Sequence, residues 1–178
     1  MRPERTLIIA LVAGLTGLAD VRPALSQMVD PPFGFYWAAG QKETEKVISR
    51  NGARVVGKAI VQGRETWTIK GLIEPALWRT IVYFGTKKDL VEVELDYQHP
   101  NWDLVAYKEF LNGILRRLES KYGPATVLGK DTKTHGGTME TIVGYEWQNA
   151  SGSIQLFFFS AERNSNVYRS VSLHYRAG

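Results

Sequence analysis

The stretch DLVAYKEFLNGILRRLESKYGP, residues 103–124, decides the fold. Tyr107, Leu111, Ile114, Leu118 and Tyr122 recur at steps of three and four, and Leu104, Phe110 and Leu115 widen their stripe. Lys108, Glu109, Asn112, Arg116, Arg117, Glu119 and Lys121 occupy the opposite side. The pattern predicts one amphipathic helix, N-capped by Asp103 and ended by Gly123 and Pro124. Gly113 inside it costs about 1 kcal/mol against Ala, and the expected reason is a close approach to a neighbouring layer.

Almost everything around this helix alternates like strand. Residues 33–37 place Phe33, Phe35 and Trp37 on one face of a short expected strand. Residues 41–50, QKETEKVISR, form a lesser helix with the thin stripe Thr44, Val47 and Ile48, stopped at Asn51 and Gly52. Strands follow at 54–61, 65–72, 77–84 and 90–98, separated by short turns that suit antiparallel hairpins. Beyond the main helix, residues 130–137 read as a polar loop, and strands are expected near 138–148, 153–161 and 167–176.

The expected fold class is therefore α+β. It is a mostly antiparallel, twisted sheet of seven or eight strands with one long and one short helix on one face. RNGARVVGK at 50–58 and KYGPATVLGK at 121–130 each end a helix at Gly and enter a strand, which suggests a tandem helix-plus-sheet pseudo-repeat. The order helix–strands–helix–strands resembles the layout of the β-lactamase-inhibitor proteins and of small outer-membrane assembly factors. The resemblance is one of layout and carries no motif.

The first residues read as an export signal. Arg2 and Arg5 precede the uncharged run LIIALVAGLTGLA at 7–19, followed by small residues suited to cleavage after Ala19 or Ser26. Thirteen residues fall short of the roughly 20 that span a bilayer, so residues 1–26 are expected to be removed, leaving one domain at 27–178 and no membrane span. The 178 residues contain no cysteine, which fits a bacterial periplasmic or secreted domain that folds on its core alone. Loss of the leader lowers the net charge from +4 to +3. The charge is spread along the chain, so nucleic acid is not an expected partner.

Chemical motifs are few. Gly52 to Ala59 imitates a phosphate-binding loop, but it leaves a helix, enters a strand and lacks the magnesium-binding hydroxyl. Glu92, Glu94 and Asp96 share a strand face at steps of about 7 Å, too divergent for one metal; a solvated face is expected, paired with Lys70 or Arg79. His99, His135 and His174 lie apart in sequence with no metal or nucleophile motif around them, and no cofactor is implied.

The informative stretch is SIQLFFF at 153–159. A hairpin at 149–152 directs Val143, Tyr145, Trp147, Ile154, Leu156 and Phe158 toward the helix. Phe157 and Phe159 then point outward, beside Gly144 and Ile142. With Tyr168 they make an outer aromatic patch: Ile142, Phe157, Phe159 and Tyr168. Either the aromatic segment at 31–37 or the curl of the sheet covers that patch, or a partner does.

The reading that follows is a non-enzymatic periplasmic binding or interaction module for a protein partner or another cell-envelope component. One alternative is a carrier of a small apolar ligand, with Trp67, Trp78, Tyr97, Phe110 and Trp147 around a cavity between helix and sheet. The other is a hydrolase, which requires a histidine within hydrogen-bond reach of a serine and a carboxylate.

Overall fold

A computed structural model describes residues 27–178; the expected leader lies outside the described residues. The chain runs α1 (Gln41–Arg50), β1 (Arg54–Val61), β2 (Arg64–Lys70), β3 (Leu77–Phe84), β4 (Leu90–Tyr97), α2 (Leu104–Tyr122), β5 (Thr126–His135), β6 (Thr138–Asn149), β7 (Gly152–Arg163) and β8 (Asn166–Ala177). All eight strands join one sheet in the order β1-β2-β3-β4-β8-β7-β6-β5, and every pairing is antiparallel. The α+β architecture expected from the pattern is the one observed.

The sheet order is palindromic because each half is a helix followed by a four-strand meander, and the two last strands meet at the centre. Val93, Leu95 and Tyr97 of β4 face Tyr175, Leu173 and Val171 of β8. Both strands thus read Val-x-Leu-x-Tyr, and a local two-fold axis passes through the Leu95–Leu173 pair. The Val-x-Gly-Lys resemblance also has a structural meaning. Each copy opens an edge strand, and each strand has a register break there, between Val55 and Gly57 in β1 and between Val127 and Gly129 in β5. The lysine that follows the glycine lies over a neighbouring ring in both halves: Lys58 over Trp67 at 3.9 Å and Lys130 over Tyr145 at 5.6 Å. A bulge and an inward lysine are both ways of blunting a sheet edge.

Both helices pack on one face of the sheet. Asp103 accepts from the Ala106 amide at 2.9 Å as N-cap, and Gly123 exits at φ 87°. Tyr107, Leu111, Ile114 and Leu118 are buried, as the stripe requires, and Thr44, Val47 and Ile48 are the buried residues of α1. They close over Trp67, Val82, Val93, Leu95, Tyr97, Ile154, Leu156, Phe158, Val171 and Leu173. No helix among the described residues is long and apolar enough to cross a membrane.

Three local expectations fail. Residues 33–37 form turns rather than a strand, with Phe33 at φ 60°; their aromatics are used singly. Phe35 is buried, while the Trp37 indole donates to the Val29 carbonyl at 2.6 Å. This segment packs into the core on the helix side and reaches the β6–β7 turn, where the Val29 amide donates to Ser151 Oγ at 2.8 Å. Residues 130–135 are strand rather than loop. Polar side chains conceal β5 because an edge strand with both sides exposed needs no apolar alternation, and the Gly136–Gly137 turn at φ 57° and 78° supplies the hairpin. Gly113 meets nothing: a Cβ there would have no heavy atom within 4 Å, so no close approach explains it.

Candidate functional site

The face opposite the helices is where the chemistry gathers, and the strand register divides it into two ends. At one end Glu92, Glu94 and Asp96 of β4 stand beside Tyr83 and Arg79 of β3 and His174 and Arg176 of β8. The expected solvated carboxylate face is not what forms. Glu92 is only 2% exposed, because long side chains from three strands close over it. Arg64 donates to Glu92 Oε2 at 2.7 Å; Arg176 Nε and His174 Nδ1 each lie 3.1 Å from Oε1. Burial alone would raise this carboxyl, but the hydrogen bonds of His174 and Arg64 and the Arg176 charge hold it down at about 2.

Glu94 moves the other way. Burial raises it, and it accepts a short hydrogen bond from Tyr83, whose own hydroxyl burial pushes well up. Arg79 pairs with Asp96 at 2.6 Å, as anticipated; Lys70 instead lies 4.7 Å over the Trp78 ring. Among the described residues no group of three or more His, Asp or Glu is arranged to hold a metal ion.

His174 satisfies the geometric condition stated for a hydrolase. Its Nδ1 meets Glu92 and its Nε2 lies 3.2 Å from Ser172 Oγ. The serine's own backbone gives it no electrophilic help. Ser172 sits in a central strand, paired with Asp96 on one side and Phe157 on the other, so its backbone donors belong to the ladders. Glu92 is also shared with two arginines, which weakens its hold on the imidazole as an orienting base.

The other end is aromatic. Phe157 pairs with Gly144 and Phe159 with Ile142, both outward as the alternation required. Phe157 fills the space that Gly144 leaves, since a Cβ on the glycine would lie 2.8 Å from its ring, and its ring meets His174 edge-on at 5.9 Å. Phe159 packs against Tyr168 at 6.0 Å between centroids. Ile142 and Tyr168 are 47% and 50% exposed, and the segment at 31–37 does not cover them, being on the other face. The register break between Leu77 and Arg79 turns Trp78 toward the same surface, where Arg79 also stacks on it at 4.7 Å.

Where β4 gives way to α2 a cleft of about 510 Å³ opens, lined among others by Trp78, Gln98, His99, Trp102, Tyr168 and Arg169. Tyr168 joins the patch to it, accepting from Gln98 Nε2 at 2.7 Å. The alternation could not reveal this cleft, because Trp78 enters through a bulge and His99 and Trp102 belong to a connection. The five aromatics expected around one helix–sheet cavity do not share one. Trp67 packs on Phe84 and Tyr97 on Phe110, Trp147 donates to the Gly123 carbonyl, and Trp78 is on the outer face.

No protein-family model matches this chain, and no curated protein or solved structure matches it significantly.

Proposed function

We propose that the chain is an exported, non-enzymatic periplasmic binding module whose outer sheet face docks a protein partner or another cell-envelope component. The observation that carries this reading is the aromatic end of that face. Ile142 and Tyr168 are about half exposed there, Phe159 lies between them, and neither helix nor residues 27–39 lie over them. Apolar surface left open beside a satisfied ion network is the pattern of a docking surface. The test immobilises the chain against an envelope extract and compares it with the Ile142→Ser/Tyr168→Ala double variant. Loss of retention with unchanged thermal stability supports the reading; retention by the variant equal to wild type overturns it.

A second reading, a hydrolase, draws on the Ser172–His174–Glu92 distances. A serine-reactive fluorophosphonate separates the two. Labelling at Ser172 that disappears in His174→Ala would replace the binding reading, and an unlabelled, folded chain retires the hydrolase.

A further inference from the structure

We propose that the cleft between the end of β4, the start of β8 and the entry to α2 is a saccharide-binding site, going beyond the docking face with which it shares Tyr168. Three observations combine.

The first is the hydrogen-bonding inventory. Arg169 Nε is buried with no partner, although its guanidinium is fixed by Glu162 through another nitrogen. A buried donor left unpaired is costly and calls for an acceptor. His99 Nδ1 accepts from the Asn101 amide at 3.3 Å, which puts the neutral ring's proton on Nε2. Gln98 spends its amide nitrogen on Tyr168 and keeps its carbonyl oxygen. The cleft surface thus offers the His99 donor and the Gln98 acceptor, besides a tyrosine hydroxyl, with the unpartnered Arg169 Nε buried behind its lining. A ligand whose groups both donate and accept matches that mixture, and a sugar hydroxyl does both.

The second is the wall. Trp78 and Tyr168 are 43% and 50% exposed, and His99 stacks on Trp102 at 5.0 Å and 17°. Flat aromatic surface beside polar tips suits a ring with an apolar C–H side and a polar rim.

The third is charge. Arg169 is neutralised by Glu162 and Arg79 by Asp96, so the nearest arginines leave no strong field for an anion. Lys70, set over Trp78, disfavours a quaternary ammonium in an aromatic cage. A polyhydroxylated ring, neutral or carrying a carboxylate toward Lys70, is what remains.

Tryptophan fluorescence and titration calorimetry of the purified chain against N-acetylchitotriose, cellotriose and maltotriose test this, with tetramethylammonium and phenylacetate as the competing ligand classes. A saturable emission change is expected with at least one trisaccharide. Trp78→Ala, at an exposed position, and Arg169→Gln should each weaken it about tenfold, while Ile60→Ser on the distant β1 edge leaves it unchanged. Circular dichroism confirms that the variants are folded. No saturable response to any trisaccharide overturns the proposal. So does a response undiminished in both cleft variants, or one seen only with tetramethylammonium or phenylacetate.

Discussion

The two central strands are the same strand on one face and opposites on the other. Toward the helices, β4 and β8 both present Val, Leu and Tyr, paired about the Leu95–Leu173 axis. Toward the open face, β4 presents Glu92, Glu94 and Asp96 where β8 presents Ser170, Ser172 and His174. Packing demands equivalent apolar volumes on both sides of a two-fold core, so the inner positions match. The outer positions answer only to their cross-strand neighbours and have diverged. The first half supplies the anions and both halves receive them, through Arg64 and Arg79 on one side and His174 and Arg176 on the other. The helices diverge as well, 10 residues in α1 against 19 in α2, and in the first half residues 27–39 add Val29, Phe35 and Ala39 to the core.

The largest expected effect tests that last difference. Phe35 is 4% exposed, in the same core cluster as Val47 and Ile48 of α1. Phe35→Ala should cost about 3–4 kcal/mol in urea unfolding, as for a buried aromatic in any core. A cost under about 1 kcal/mol would mean that the segment merely rests on the first half.

Next comes the central anion. Glu92→Gln leaves Arg64 and Arg176 facing a neutral amide and should cost about 2–3 kcal/mol. The figure is at the low end for a buried pair because the two arginines are 35% and 40% exposed and can rehydrate. The acid profile checks the same group. Its folded value of about 2 lies below the ordinary 4.5, so its stabilisation is present above pH 4.5 and lost as the pH falls through 2. Glu94, raised by burial, acts with the opposite sign and regains stability as it is protonated above 4.5. Stability should therefore hold or rise slightly on first acidification, then fall, and Glu92→Gln should flatten the fall.

A smaller effect divides the aromatic end into support and surface. Phe157→Ala uncovers Gly144 and the His174 edge, at an expected cost of about 1–2 kcal/mol for a half-buried ring. Ile142→Ser should change stability by under about 0.5 kcal/mol. Equal costs would place both in the core and remove Ile142 from the docking surface.

Legibility followed the same division between faces. Where one side of an element is buried, its period is written in the sequence. That is how α1, α2 and the inward sets of β6 and β7 could be read, and it is why Phe157 and Phe159 were correctly turned outward. Where neither side is buried the period vanishes, and β5 from residue 130 onward passed for a loop. The burial of Glu92 had no signal in its own strand: it depends on Arg64 two strands away and on Arg176, 84 positions on. A signal did exist for the central pairing. Val-x-Leu-x-Tyr occurs in both β4 and β8, a better mark of the pseudo-repeat than the Val-x-Gly-Lys edges. The cleft was illegible because its walls come from a bulge, a connection and a strand end, none of which carries a period.

The smallest effect returns to α2. Gly113 is helical, exposed and free of neighbours, and the shorter α1 contains no glycine to compare with it. Ala at this position lowers the entropy of the unfolded chain and adds no clash, so Gly113→Ala should stabilise by about 0.7–1 kcal/mol. In a domain of this size that corresponds to a rise of about 2–4 °C in Tm. A thermal melt gives the answer directly. A fall in Tm would mean that the solvent face of α2 is engaged by something beyond residues 27–178, because no atom among the described residues opposes the methyl group. The longer helix would then have a role on its outer side that the shorter one does not share.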